Sequence, residues 1–349
     1  MLTILPKENA GAAVRALMDE GGVVAPIERD GEAIFARLRD STEARLDAKR
    51  TLHSAKTALL PARDPFLRFD LVGATWETIP LDAPRFLLGL HPCDVWAHEA
   101  FDLWMNEGVP DDRYDAAESA VTIIALKCAE PCGEDCFCGA MGTWRPRAFD
   151  ILMTDDGDRY LLEAASDHGR HVLHLWNRWI LFSDASAEKR HVEILASAEK
   201  AFAGSSRCGT AHPFRIDELP AAMKRAFHAP WWHDMAERCL DCGQCVAVCP
   251  TCTCFAMTDE CDFEMKECIR CRVTDGCMFA PFAEVAGGHN FRRDRYARIR
   301  HRMNRKGNWL NERFSIPFCV GCGRCVTTCP VEISPWKVFR RACGEAIDV

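Results

Sequence analysis

Cys239-Leu-Asp-Cys242-Gly-Gln-Cys245-Val-Ala-Val-Cys249-Pro250 and Cys319-Val-Gly-Cys322-Gly-Arg-Cys325-Val-Thr-Thr-Cys329-Pro330 repeat one pattern, CxxCxxCxxxCP, in the last third of a 349-residue chain. Three closely spaced cysteines wrap a loop around one cubane, and the fourth opens a helix that reaches across to a second cluster. The spacing therefore predicts two [4Fe–4S] clusters that exchange their fourth ligands. Cluster 1 takes Cys239, Cys242, Cys245 and Cys329, and cluster 2 takes Cys319, Cys322, Cys325 and Cys249. Gly243 and Gly323 suit loops that bring backbone N–H groups to the cluster sulfurs. Zinc ribbons also pair CxxC motifs, but a four-cysteine run closed by proline, twice over, has ferredoxin spacing.

Working outward, residues 251–318 form a large insertion between the two runs. It opens Thr251-Cys252-Thr253-Cys254-Phe255 and continues through Cys261, Cys268, Cys271 and Cys277. Cys252, Cys254 and Cys268 are candidate ligands of a further cluster or zinc ion. The alternative is that several of these are buried free thiols packing as small hydrophobes. The insertion ends in a basic run, Arg292, Arg293, Arg295, Arg298, Arg300, Arg302, Arg305 and Lys306. Its simplest reading is a solvated helix face with snorkelling side chains; docking of an acidic partner or stabilisation of reduced clusters is the alternative.

Upstream, the cysteines are sparse. None precedes residue 90, five lie between Cys93 and Cys138, and only Cys208 falls between Cys138 and Cys239. This distribution predicts an α+β chain: an N-terminal α/β domain at 1–205, a connector at 206–235, and a mainly helical 2×[4Fe–4S] ferredoxin-like domain at 236–349. Residues 9–20 read as a helix capped by Asn9 and closed at Gly21–Gly22, followed by the apolar run VVAPI. FLLGL at 86–90 and VTIIAL at 121–126 read as buried strands, and 167–182 and 186–203 as helices. Cys93 follows the first strand in Leu90-His91-Pro92-Cys93-Asp94, and Cys128 follows the second, so both sit at strand C-termini, where α/β sheets place ligands. If the strands are neighbours, Cys93 and Cys128 converge, and the loop through Cys132, Cys136 and Cys138 can join them. A third [4Fe–4S] cluster on Cys93, Cys128, Cys136 and Cys138, with Cys132 as a substitute, is the expectation; reduced core thiols or zinc are the alternatives.

Composition sets the class. The 21 cysteines fall in metal-binding spacings with no export signal at the start, which points to a reducing cytoplasm. The formal net charge of −8 and the lack of an aromatic base-reading motif argue against nucleic acid. No apolar run approaches the roughly 18 residues of a membrane span. With neither GxGxxG after a strand nor GxxxxGK[ST], no flavin or NAD site is expected in this chain. Isolated histidines such as His233 and His289 read as structural.

Several separated segments, in order, resemble one family along nearly the whole chain: His91-Pro92-Cys93-Asp94, Cys128 with Glu130-Pro131, Cys136-Phe137-Cys138 leading to Met141-Gly142-Thr143, Cys249 through Phe255, and Gly287-Gly288-His289-Asn290. The family is the iron–sulfur β subunit of soluble NAD(P)-linked [NiFe] hydrogenases (sulfhydrogenases), with its relative, the dicluster iron–sulfur subunit of anaerobic sulfite reductase. The resemblance implies an electron-transfer subunit between a flavin/NAD(P)H-binding subunit and a catalytic partner of hydrogenase or sulfite reductase type. It also favours function for Cys252, Cys254 and Cys268. His91, Cys132 and Trp144-Arg145 depart from the family's usual residues, and Cys261, Cys271 and Cys277 look like additions. The alternative is a redox enzyme in its own right, using the N-terminal cysteine site for sulfur or thiol chemistry.

Overall fold

The computed structural model describes residues 2–204 and 215–349. Cys208 and part of the expected connector lie outside them. Twelve strands are present among the described residues: β1 (Leu2–Pro6), β2 (Val23–Arg29), β3 (Glu32–Arg37), β4 (Arg63–Asp70), β5 (Thr75–Thr78), β6 (Phe86–Leu90), β7 (Thr122–Leu126), β8 (Ile151–Asp155), β9 (Arg159–Ala164), β10 (Leu181–Phe182), β11 (Phe255–Cys261) and β12 (Glu267–Thr274). Eight form one mixed sheet in the order β10-β1-β9-β8-β7-β6-β2-β3. Its centre, β2-β6-β7-β8, is parallel. β6 and β7 are buried at every position, as parallel strands covered on both faces must be.

Side-chain alternation divides the core. Phe86, Leu88 and Ile124 pack on one face with Val14 and Leu17 of the helix Ala10–Glu20 and with Val172 and Trp176. Leu87, Ile123 and Ala125 pack on the other with Val95 and Phe101 of the helix Pro92–Met105. At Gly89 (φ +78°) the β6–β7 register shifts. This bulge breaks the period of two and turns Leu90 onto the face of Leu87. The chain therefore leaves β6 directly into the helix that carries Cys93.

The helix read at 167–182 is shorter. It spans Asp167–Leu175, capped by Ser166 Oγ accepting from Gly169 N–H at 3.0 Å. Trp176 ends it by burying its ring and donating its indole N–H to Ala13 O at 2.9 Å. Leu181 and Phe182 then pair with β1 as an edge strand. Asn9 makes no side-chain cap; its amide donates to Trp179 O at 3.4 Å.

The second sheet, β11-β12-β4-β5, is antiparallel and joins residues 63–78 to the insertion. Its hydrogen-bonded ladder thus crosses the boundary drawn at 205 and 236. At its centre Asp64 (1 % exposed) receives Arg272 Nε at 3.0 Å and also pairs with Arg113. Around the cysteine runs pack the helices Trp231–Arg238, Arg295–Asn304 and Pro335–Ala342, with Trp232, Met235, Met303, Trp336 and Phe339 in their core. Phe137 and Met141, from the upstream cysteine loop, are buried in that same core.

Candidate iron–sulfur centres

Each ferredoxin run bends at a left-handed glycine, Gly243 (φ +73°) and Gly323 (φ +76°), into a short helix, Gln244–Ala247 and Arg324–Thr327. The two halves are related in construction, and each sends its last cysteine to the other. Cys249 lines one cavity with Cys319, Cys322 and Cys325. Cys239 lies within electrostatic range of Cys329, and Cys245 within range of Cys325 and Cys249 as well as Cys239. Cys329 also opens onto a surface cavity of about 420 Å³ bordered by Glu332, Trp336 and Arg340. Cys242 is exposed. The structure thus gathers Cys249, Cys319, Cys322 and Cys325 around one cavity and sets Cys239 near Cys329, with Cys242 at the surface. Burial raises the Cys245, Cys322 and Cys325 thiols to about 11, so loading these sites with metal requires displacing protons. Among the described residues no three His, Cys, Asp or Glu side chains are placed to share one metal ion. A tetrahedral zinc ion would draw its thiolates to about 3.8 Å from each other; thiols arranged around a cavity fit the larger cubane.

In the N-terminal part, β6 and β7 are neighbours, pairing Phe86 with Thr122 and Leu90 with Ala125. Cys93 and Cys128 therefore leave the same edge of the sheet. Cys93, Cys136 and Cys138 are buried together, with Cys128 and Cys132 packed against them. Cys136 Sγ lies 3.2 Å from Cys138 Sγ, the Cys132 thiol hydrogen-bonds Cys136, and Cys128 faces Cys132 and Cys136. Five thiols are thus gathered in one region where four were sought, with Cys132 and Cys138 each in contact with Cys136.

This group lies directly against cluster 2's loop. Phe137 N–H donates to Gly321 O at 2.7 Å, and Thr143 Oγ1 to Val320 O at 2.6 Å. A Cβ on Gly321 would stand 2.6 Å from Cys138 N, and one on Gly323 2.5 Å from Asp135 O, so the two backbones touch and only glycine fits. Arg324 (2 % exposed) closes the contact. Its Nη1 and Nη2 donate to the two Asp94 carboxylate oxygens at 2.7 and 2.9 Å, and its Nε donates to Thr51 O at 2.9 Å. Asp94 follows Cys93, so one ion pair ties the third thiol group to cluster 2.

Residues 238–333 match the 4Fe-4S dicluster domain family. The chain is 30% identical over 328 residues to sulfhydrogenase 2 subunit beta of Pyrococcus furiosus, covering 93% of this chain and 92% of that one. This chain belongs to the sulfhydrogenase β-subunit family. No solved structure matches it. In this family member the dicluster match takes in both cysteine runs and the whole insertion, and no helix among the described residues is long and apolar enough to cross a membrane.

The insertion differs from the sequence reading at two points. Cys268 does not join Cys252 and Cys254. It lies in β12 opposite Cys261 of β11, with Cα atoms 4.0 Å apart and the two sulfurs bonded. Cys252 instead faces Cys249, and Cys277 faces Cys254. The basic run is a solvated face only in part: Arg293 and Arg295 are exposed. Arg298, Arg302 and Lys306 are buried, at a spacing of four that puts them on one side of the helix and its continuation. Burial opposes the charge on Lys306, but the Cys249 and Cys252 thiols outweigh it and raise its pKa. His233 stacks on Tyr296 at 4.2 Å and His289 lies edge-on to Phe291 at 4.7 Å.

Proposed function

We infer that this sulfhydrogenase-family chain is an iron–sulfur electron-transfer subunit of a multisubunit cytoplasmic oxidoreductase. It relays electrons between a flavin/NAD(P)H-binding subunit and a catalytic partner of hydrogenase or sulfite reductase type. Bound [4Fe–4S] clusters would supply one-electron carriers at three places: the Cys93/Cys128/Cys136/Cys138 group with Cys132 beside it, cluster 2, and cluster 1. The chain's own residues then bury the carriers, fix their spacing and donate hydrogen bonds to their sulfurs. One observation supports this reading: the backbone of the 135–138 loop touches that of Gly321 and Gly323, so the N-terminal thiol group stands directly against the second cysteine run, while Cys242 of the first run is exposed. Anaerobic purification with companion chains, each identified by mass spectrometry, tests it. A flavin subunit with a [NiFe] or sirohaem subunit is the expected outcome; a chain isolated alone with its clusters intact would contradict it.

The fifth thiol of the N-terminal group favours a second reading, in which that site binds a sulfur species or substrate thiol. It requires a spectral change of the loaded protein on adding thiol or sulfite, and no change would dismiss it. With Cys268 paired to Cys261, Cys252 and Cys254 are what is left of the expected further site, and Cys277 lies near Cys254.

A further inference from the structure

Arg302 and Lys306 line the cavity formed by Cys249, Cys319, Cys322 and Cys325, and Lys56 reaches the same region from the N-terminal part. Lys306 Nζ donates to Thr251 O at 2.8 Å and Thr251 Oγ1 at 2.7 Å. Arg302 Nη2 donates to Cys245 O at 3.1 Å. Lys56 Nζ donates to Cys249 O at 2.9 Å and Cys252 O at 2.8 Å. Carbonyl and hydroxyl dipoles solvate these cations without neutralising them. Other buried arginines are neutralised: Arg324 by Asp94, Arg298 by Asp241, Arg272 by Asp64 and Asp111. Among the described residues no carboxylate lies within ion-pair distance of Lys56, Arg302 or Lys306. The anion-forming groups that face them are thiols: Cys249 and Cys252 for the two lysines, Cys245 and Cys325 for Arg302.

Burying an uncompensated charge is costly, so three such cations around one cavity mark it as built for an anion. A cubane with four thiolates is that anion, and one-electron reduction adds a further negative charge beside the cations at low dielectric. Around cluster 1 the balance differs: Arg302 is shared with it through Cys245, but Arg295 and Arg298 have the Asp241 carboxylate between them, neither lysine reaches it, and Cys242 is open to solvent. The geometry points to a cationic cage, Lys56 and Lys306 with Arg302 shared between the two clusters, that holds cluster 2 at a higher reduction potential than cluster 1 and makes it the place where an electron rests between transfers. The electron comes from a reduced flavin in the complex, or dithionite in the experiment, and no bond forms or breaks. This inference rests on the electron-transfer reading above.

The test uses the full chain with clusters reconstituted anaerobically, iron counted first, then a potential titration with dithionite followed by electron paramagnetic resonance. Lys306→Met is expected to keep its iron and lower the higher-potential signal. The reduced-to-oxidised ratio at fixed potential falls at least tenfold, about 59 mV for one electron, while the signals of the other clusters stay in place. Lys306→Arg restores the potential. Lys56→Met, altered outside the cysteine runs, is expected to move the same signal the same way. Iron-replete variants with unshifted potentials, or with all signals shifted equally, overturn the cage alone. A parent chain that takes up no iron overturns the electron-transfer reading and the cage with it.

Discussion

Arg324 shows how single residues hold the candidate centres together. Its guanidinium makes both Asp94 bonds in the fork geometry that lysine lacks, deep enough that neither partner meets water. Removing one member of a buried pair strands the other's charge, typically at 3–5 kcal/mol. Arg324→Met should therefore lose about 3–5 kcal/mol in denaturant unfolding, with Arg324→Lys recovering only part; a loss under about 1 kcal/mol would show the pair to be solvated. His98, on the same helix as Asp94, responds to pH. Burial pushes its pKa down to about 4, below the ordinary value near 6.5. The unfolded chain thus binds the proton more readily, so this contribution is complete above about pH 6.5 and is lost as pH falls toward 4. Comparison of the parent with His98→Leu at pH 7 and pH 4.5 should show an extra acid loss in the parent, on the order of 3 kcal/mol; identical pH profiles would refute the assignment. Residue by residue, the ferredoxin cysteines were legible because cubane ligation dictates their spacing. The buried cations were not, because a basic run reads as solvated until the four-residue spacing of Arg298, Arg302 and Lys306 is set against a helix packed on both sides.

Among the elements, β6 and β7 were readable from their unbroken apolar runs, and their adjacency placed Cys93 beside Cys128. The sheet β11-β12-β4-β5 was not, since its strands alternate exposed and half-buried residues and pair across most of the sequence. The same pairing commits Cys268 to Cys261, a position that its distance from Cys252 in sequence gave no reason to expect. Cys268→Ser is accordingly expected to leave the iron content unchanged; lost iron would return it to the ligands. The loop 135–138 is the element that couples the two parts. Phe137 is 1 % exposed and packs on Trp336 at 5.7 Å, so Phe137→Ala should cost about 3–5 kcal/mol of stability. In the loaded protein it should loosen cluster 2 and the N-terminal site before cluster 1, read as the order of iron release to a chelator. Simultaneous release from all sites would contradict a coupling role for this loop.

For the molecule as a whole, the N-terminal thiol group and the cavity of the second cysteine run lie side by side, linked by backbone contact and by the Asp94–Arg324 pair, and the first run sends Cys249 into that cavity. That arrangement is what an electron relay requires and what a set of isolated structural metal sites would have no need to maintain. The most direct test is an iron and acid-labile sulfide count, with Mössbauer spectra, on the anaerobically reconstituted full chain and its Cys93→Ser/Cys128→Ser variant. The expected result is about twelve irons per parent chain and about eight in the variant, all of cubane type. The same count in both proteins, at about eight, would contradict the N-terminal cluster and reduce the relay to its two ferredoxin centres.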